Sequence, residues 1–178
     1  MRKTLAGLMA VACMISTPVH QAAAQLAKGY SDIGGVVGFG NTGGAGVSLG
    51  GRFERVLKDL PDMGGGTLGI GVSADYWRYD YGNYYRYSYL PIGVTGNYHV
   101  KLENKKVDVF GGVGLGYNII GCSYSGPAGT LGDLCQNGSI YLIARAGGRY
   151  FLSDKTAIYG DVGAGASALN IGLTFKIK

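Results

Sequence analysis

The last ten residues of the chain alternate between apolar and polar side chains, and this pattern limits the fold more than any other feature. The apolar positions are Leu169, Ile171, Leu173, Phe175 and Ile177, and the positions between them are Asn170, Gly172, Thr174 and Lys176. Because successive side chains of a strand point to opposite faces, the five apolar side chains share one face. In water such a face needs a protein cover, whereas lipid covers it in a membrane-spanning barrel. The segment therefore predicts a lipid-facing strand.

The other end of the chain has the pattern of a signal peptide, over residues 1–24. Two basic residues precede an apolar stretch, Leu5–Ile15, and Ala22–Ala24 forms an A-x-A cleavage site. The apolar stretch is too short to span a bilayer, although it also fits a soluble N-terminal helix. We expect cleavage before Gln25, which leaves one domain at 25–178.

The charge of the remaining chain is low, and its basic residues are scattered. Loss of Arg2 and Lys3 with the signal peptide lowers the formal net charge from +5 to +3. The longest basic run that remains is Lys105-Lys106, which argues against nucleic acid as a partner. After the signal peptide no apolar run approaches about 18 residues, so no membrane-spanning helix is expected.

Glycine is unusually frequent, with 34 residues against four prolines. Collagen-like triplets do not occur, and valine, isoleucine, leucine and tyrosine recur between the glycines. Glycine within strands relieves crowding where a sheet curls tightly or backbones approach closely. The composition therefore favours a small closed barrel.

Eight segments of the chain alternate in hydropathy, as the strands of outer-membrane barrels do. They cover about 30–40, 44–56, 66–78, 86–102, 107–119, 139–152, 156–164 and 169–178. The predicted fold is all-β, an eight-stranded antiparallel up-and-down transmembrane β-barrel. Side chains fill the interior of a barrel of this size, so a general diffusion pore is not expected.

The two faces of these segments differ in charge. One face carries Arg52, Glu54, Asp75, His99, Asp108, Arg145, Arg149, Asp161 and Lys176, and the other is almost free of charge. A soluble barrel such as a lipocalin would turn the charged face to water. Here the charged face also carries glycines, which suits a cramped lumen, and the apolar face ends in tyrosines, which suits the lipid border. We expect a lumen network of Arg52, Glu54, Asp75, His99, Arg145 and Arg149.

The connections between the segments differ in length. Residues 103–106 and 153–155 are short polar turns, and 119–138 is long. An even number of strands with both termini in the periplasm places the short turns there and the long loop outside. The link 57–65 is longer than expected for a periplasmic turn.

Cys122 and Cys135 lie in the long loop and are the two cysteines that follow the signal peptide. An even count in an exported protein favours a disulfide, which would stabilise the fold by about 3 kcal/mol. A metal site would need further cysteine or histidine nearby, and none is there. The third cysteine, Cys13, would be removed with the signal peptide. Lipidation of Cys13 is the alternative, but the residues before it lack the leucine of a lipobox.

Seven tyrosines and the only tryptophan lie within residues 76–89. They are Tyr76, Trp77, Tyr79, Tyr81, Tyr84, Tyr85, Tyr87 and Tyr89. One interpretation is an outer hairpin that contacts carbohydrate or a host protein, since aromatic residues anchor interfaces. Its candidate contact residues are Tyr81, Tyr84 and Tyr85, nearest the tip. The other interpretation is a girdle of aromatic residues at the outer lipid headgroups.

His99 is the one histidine that follows the signal peptide. A general base needs a nucleophile and an orienting acid, and Ser73 and Asp75 on the preceding strand are candidates across the hairpin. Such a group also arises by chance in a polar lumen, and His99 lies near the predicted periplasmic end. We therefore expect a structural role for His99, no catalytic residue, no metal and no cofactor.

Three segments resemble the small eight-stranded outer-membrane β-barrel family, which includes the OmpA transmembrane domain, OmpX and Opa-like adhesins. They are LPIGVTGNYH at 90–99, VFGGVGLGY at 109–117, and the terminal segment with Asn170, Gly172, Phe175 and Ile177 at the positions of a barrel assembly signal. The resemblance is structural and covers the chain from Gln25 as a pattern.

This resemblance implies a location in the outer membrane of a Gram-negative bacterium. It implies contact with outer-membrane lipid, lipopolysaccharide and the barrel assembly machinery, and with a host or glycan ligand. The function that it favours is a non-enzymatic surface protein with a filled lumen, acting in adhesion, host interaction or envelope integrity. The alternative within the family is an outer-leaflet lipid-modifying enzyme.

Overall fold

The computed structural model describes residues 26–82, 84–126 and 138–178. The predicted signal peptide and Cys135 lie outside these ranges. The strands are β1 (Ser31–Phe39), β2 (Val47–Leu60), β3 (Gly66–Tyr81), β4 (Tyr85–Val100), β5 (Val107–Tyr124), β6 (Ser139–Phe151), β7 (Thr156–Ala164) and β8 (Leu169–Lys176), and a short 3-10 helix covers Gly43–Ala45. Among the described residues, no helix has the length and apolar character needed to cross a membrane.

The strands form one closed antiparallel barrel, in which each strand pairs with its neighbours in the chain and β8 pairs with β1. This confirms the predicted up-and-down topology. At the seam, Ile33 lies opposite Phe175. The pairing runs to the last residue, because the Ser31 N–H donates to the carbonyl of Lys178 at 3.0 Å and the Ile177 N–H donates to that of Ser31 at 2.9 Å. The terminal segment is therefore the last part of the wall.

The barrel has two unlike ends. The turn end holds the connections 61–65, 101–106 and 152–155. The loop end holds the connections 40–46 and 165–168, together with the ends of β3 and β5 and the starts of β4 and β6. The link predicted at 57–65 is shorter than expected, since β2 continues to Leu60 after a register shift between Val56 and Lys58. Strand β5 likewise continues to Tyr124, beyond the predicted end at 119.

The outside of the wall is apolar and the inside is polar. Exposed outer side chains include Ile33, Val37, Phe53, Ile70, Val94, Leu115, Leu142, Ile158 and Leu173, and buried inner side chains include Asp32, Glu54, Asp75, Asn97, His99, Asp108, Arg149 and Asp161. On β4 the outer apolar face runs from Leu90 to Val100, about 33 Å along the strand. At the usual strand tilt this gives a band about 25 Å tall, as in transmembrane β-barrels.

Three strands continue beyond their outer neighbours at the loop end. Pairing of β2 with β3 stops at Tyr76, and pairing of β5 with β6 stops at Asn118. Beyond these positions Trp77–Tyr81, Tyr85–Tyr89 and Ile120–Tyr124 remain paired with one another. We call these three segments the protruding sheet.

An apolar cluster lies at the turn end. Its buried members are Leu26, Tyr30, Val56, Phe151 and Ala157. Leu26 and Tyr30 belong to the segment before β1, which is tied to the wall because the Gly29 N–H donates to the carbonyl of Val56 at 3.0 Å. This segment therefore packs beneath the polar residues that line the lumen on β1, β2 and β6.

Candidate functional site

The turn-end half of the lumen holds a buried cluster of charges around Arg149. The guanidinium donates from Nη1 to Asp108 Oδ2 at 2.7 Å and from Nη2 to Glu54, and its Nε lies 3.0 Å from Asp32 Oδ2. It also lies over the ring of Phe110, 5.3 Å from the centroid. Alternation along β1, β2, β5 and β6 brings one charged side chain from each strand to this point.

His99 completes the cluster from β4. Its Nε2 lies 2.9 Å from Glu54 Oε1, and its Nδ1 lies 2.9 Å from Asp108 Oδ1. Each ring nitrogen thus faces a carboxylate oxygen, and a doubly protonated imidazole donates to both of them. Asn97 adds a donor to Glu54 Oε1 at 2.7 Å. Cations thus face most of the carboxylate charge among buried side chains.

Two further ion pairs lie in the loop-end half of the lumen. Arg52 makes two hydrogen bonds to Asp75, at 3.1 and 3.0 Å. Arg145 donates to Asp161 and, at 2.7 Å, to the carbonyl of Ser167. The remaining cavity between these pairs has a volume of only about 50 Å³. The structure thus places Arg52, Glu54, Asp75, His99, Arg145 and Arg149 on the inner face, in three separate groups.

The expected neighbours of His99 were wrong. His99 lies opposite Thr67, whereas Ser73 lies opposite Gly93 and Asp75 is bound to Arg52. Asp75 is eight residues further along β3 than Thr67, about 26 Å at the usual rise. Ser73 and Asp75 therefore do not form a nucleophile–base–acid arrangement with His99. Within the described ranges, no group of three or more histidine, cysteine, aspartate or glutamate residues is arranged to hold a metal ion.

Asp32 was absent from the predicted lumen residues. It is buried and contacts Arg149 as well as the Tyr30 hydroxyl, which donates to it at 3.2 Å. The alternation along β1 carried the signal, because Asp32 directly precedes the apolar Ile33, and the neighbour of an outward-facing residue must face inward. The segment predicted at 30–40 includes Asp32, but this residue was not counted among the charges of the lumen.

The aromatic residues of the protruding sheet stack on its inner face. Trp77 and Tyr89 lie with ring centroids 5.2 Å apart and planes 5° apart, and Tyr79 stacks against Tyr87 at 5.7 Å. Trp77 is buried. The girdle interpretation was therefore wrong for these four rings, which face away from lipid. Tyr76 does fit it, because its side chain is exposed on the outer wall.

The 3-10 helix after β1 packs against this aromatic stack. Gly43 has φ +58°, and a Cβ at this position would lie 3.2 Å from the ring of Tyr79. A Cβ at Gly44 would lie 3.3 Å from the same ring. Glycine at both positions lets the loop backbone approach the ring, so the β1–β2 loop covers part of the inner face.

The three predicted contact residues lie at the tip of the β3–β4 hairpin. Tyr81 and Tyr84 are exposed, and Tyr85 is half-buried. Tyr81 pairs with Tyr85 across the hairpin, and the Tyr85 ring lies 4.9 Å from that of Tyr124. The structure therefore brings these residues together outside the apolar band.

Cys122 lies in β5, opposite Tyr87, and not in the loop where it was expected. The strand is longer than predicted because its pairing with β4 continues to Tyr124. Cys135 lies outside the described residues, so its bond to Cys122 stays a prediction.

Comparisons with known proteins identify the fold. No protein-family model and no curated protein sequence matches the chain. Ail, the attachment invasion locus protein of Yersinia pestis, is similar in structure with a TM-score of 0.54 and 12% identity, over 84% of this chain and 95% of Ail. A second structure of Ail, in complex with the heparin analogue sucrose octasulfate, has a TM-score of 0.49 and 12% identity, again over 84% of this chain and 95% of Ail.

A third structure is the N-terminal β-barrel domain of Pseudomonas aeruginosa OprF, with a TM-score of 0.50 and 13% identity, over 84% of this chain and 98% of that domain. At such low identity the likeness establishes the fold alone. The chain has the fold of the small eight-stranded outer-membrane barrels, as its sequence predicts.

Proposed function

We propose that this chain is a non-enzymatic surface protein of the outer membrane of a Gram-negative bacterium, in which the barrel anchors a binding surface. The apolar band about 25 Å tall supports the location, since it matches the lipid-facing band of such barrels. The partners in the membrane are outer-membrane lipid and lipopolysaccharide, and the barrel assembly machinery recognises the terminal strand β8.

The orientation follows from the connections. Outer-membrane barrels place short turns in the periplasm and longer loops outside. The turn end, with 101–106 and 152–155, would then face the periplasm. The protruding sheet would stand outside the cell.

The lumen supports an anchoring role. Three groups of ion pairs cross it, and the remaining cavity in its loop-end half has room for only one or two water molecules at about 50 Å³. Solutes would have to break buried ion pairs to pass. His99, the histidine within the described ranges, lies inside the turn end and is buried. An outer-leaflet lipid-modifying enzyme would need its catalytic groups at the opposite end, on the lipid side.

The observation that carries the proposal is the continuation of β3, β4 and β5 beyond their neighbours. A barrel that served only as an anchor would have no use for three strands past the apolar band. Stacked aromatic rings on the inner face hold the extra segments rigid, and Tyr81 and Tyr84 are exposed at their tip. Aromatic residues are enriched where proteins bind partners. Binding of a molecule outside the cell is the activity that this surface supports.

A shortened hairpin tests the proposal. Arg78 and Ser88 are paired, so residues 79–87 can be replaced by a two-residue Asn-Gly turn with no change in register. We expect cells that display the shortened protein to lose adhesion to host cells or glycan-coated surfaces, while the heat-modifiable gel mobility of the folded barrel is kept. Unchanged adhesion at equal surface level would contradict the proposal. Detergent sensitivity without loss of adhesion would favour a role in envelope integrity.

A further inference from the structure

A polar depression lies at the tip of the protruding sheet, on its outer face. Its volume is about 240 Å³, and it is lined by Asp80, Gly82, Tyr84, Arg86, Ser123 and Ser125. These residues come from all three strands of the sheet and from the connections that follow them. We call this feature the tip depression.

The tip depression stands beyond the apolar band. Leu90 and Ile119 are paired and exposed at the top of that band. Arg86 lies four residues before Leu90 on β4, about 13 Å beyond it at the usual rise per residue. The outer face between them carries Ser88 and Gly121, which form a pair. As far as the described residues show, the depression therefore opens beyond the lipid-facing band and not onto lipid tails.

Asp80 and Arg86 form an ion pair inside the depression. Arg86 Nε donates to Asp80 Oδ1 at 2.8 Å, although the two side chains are 56% and 64% exposed. Surface pairs of this kind contribute little to stability. The pair does hold a carboxylate and a guanidinium side by side, and so presents acceptors next to donors. A hydroxyl group both donates and accepts, so neighbouring hydroxyls on a sugar ring match this arrangement.

The other residues of the depression also fit a sugar ring. Ser123 and Ser125 add hydroxyl groups from the β5 side. The ring of Tyr84 is exposed, and it meets that of Tyr124 at 59° with the centroids 6.1 Å apart, so the two rings are not stacked face to face. An exposed aromatic face packs against the apolar face of a sugar ring, as it does against other flat apolar groups.

The charge and the size of the tip depression limit which ligands it can bind. One carboxylate faces one guanidinium, so the depression has no net charge and offers no excess of cations to a sulfate or phosphate. Its volume is below the 300–1,000 Å³ typical of pockets for drug-sized ligands. We propose that the tip depression binds one neutral hexose unit of a glycan presented from outside the cell. This inference rests on the proposed function, since it identifies a ligand for the outer face of the same protruding sheet.

The test uses the full barrel refolded in nanodiscs without lipopolysaccharide. Glucose, galactose and mannose are titrated and followed by NMR, and a glycan array extends the search to larger neutral glycans. We expect saturable binding to at least one neutral hexose. Asp80→Asn and Arg86→Gln should each weaken it by at least about tenfold, because a hydrogen bond to a charged group is lost.

Arg78→Gln is the matched control. Arg78 lies on the same outer face of β3, is exposed, and is paired with Ser88 outside the depression. The same chemical change there should leave hexose affinity unaltered. Tyr84→Ala gives a second test at an exposed turn residue, and heat-modifiable gel mobility shows that every variant is folded.

Three results would overturn the inference. The first is binding of a sulfated heparin-like oligosaccharide or inorganic phosphate with no binding of neutral hexoses or glycans. The second is an equal effect of Arg86→Gln and Arg78→Gln. The third is binding to the sugars of purified lipopolysaccharide alone. If the shortened hairpin abolishes adhesion but Arg86→Gln does not, the hexose site is wrong and the proposed function is kept. If the shortened hairpin leaves adhesion unchanged, both proposals are wrong.

Discussion

The rings of Trp77 and Tyr89 lie parallel across the β3–β4 hairpin, with centroids 5.2 Å apart and planes 5° apart. Such a pair adds about 0.5–1.5 kcal/mol beyond its buried area. It lies at the base of the protruding sheet, where β3 has lost its pairing with β2. The stack therefore stiffens three strands at the level where the barrel wall no longer supports them from that side.

Trp77 is the only tryptophan of the chain, so its fluorescence reports on this stack. We predict a short-wavelength emission with weak acrylamide quenching in the folded barrel, because the ring is buried. Tyr89→Ala should shift the emission to longer wavelength and raise quenching. Tyr117→Ala, on the outer wall, is the control and should change neither. If Tyr89→Ala leaves the emission wavelength and the quenching of Trp77 unchanged, the stack does not shield the ring.

Arg149→Met should destabilise the barrel by about 3–5 kcal/mol, because it leaves Asp32, Glu54 and Asp108 buried without their shared cation. Urea unfolding of the refolded barrel in detergent, followed by circular dichroism, measures the change. Arg78→Met at an exposed position should have little effect. Equal stability of the two variants would mean that water reaches the cluster and screens it.

Gly69→Ala should lower the stability of the barrel by about 1–3 kcal/mol through overpacking. The added Cβ would lie 2.8 Å from Glu54 Oε1 and 3.4 Å from His99 Nε2, and both groups are held by other partners. Gly96→Ala is the control, since nothing lies within 4 Å of a Cβ there. The same urea experiment compares the stabilities of the two variants. If Gly69→Ala leaves the stability unchanged, the side chains of the cluster shift to make room for the added methyl group.

Phe175→Asp should prevent assembly in the outer membrane. Phe175 is exposed on the outer wall opposite Ile33, so the substitution places a charge on the apolar face of the closing strand. We expect loss of the heat-modifiable band in membrane fractions and degradation of the protein, whereas Phe175→Leu should assemble. Normal insertion of Phe175→Asp would mean that this face does not meet lipid.

The protein isolated without reductant should contain no free thiol if Cys122 and Cys135 are bonded. Maleimide labelling after denaturation should fail before reduction and give two labels per chain after it. The barrel itself should keep its heat-modifiable mobility on reduction, because strand pairing does not depend on the bond. Two labels before reduction would refute the disulfide.

The wall could be predicted from the sequence because alternation is a local property. Outer residues such as Val94 and inner residues such as Arg145 follow from the period of two once each strand is found. The ends of the strands were harder to predict, since β2 and β5 continue into segments where the outer face becomes polar. On β3, Asp80 lies beyond the predicted strand end at 78, although it pairs with Arg86 of β4.

Contacts inside the lumen could not be predicted, because they depend on register between strands that are far apart in the chain. Asp75 and His99 face the same lumen, and only their heights along β3 and β4 separate them. The girdle interpretation of the aromatic residues was wrong for a related reason. Composition placed Trp77 near a membrane border, but the parity of its position on β3 turns it inward, toward the mouth of the barrel.

The seam between β1 and β8 has a consequence for how the chain folds. Ile33 and Phe175 are partners, yet the whole barrel lies between them in sequence, so their contact carries a large loop-closure entropy. Sequential hairpins can form early, while the first strand keeps an open edge until the last residues arrive. An open edge is a template for pairing with other chains. A protein that covers the free edge of β1 until β8 forms would therefore protect such a chain from mispairing, and the slowest step of folding should be the pairing of β1 with β8.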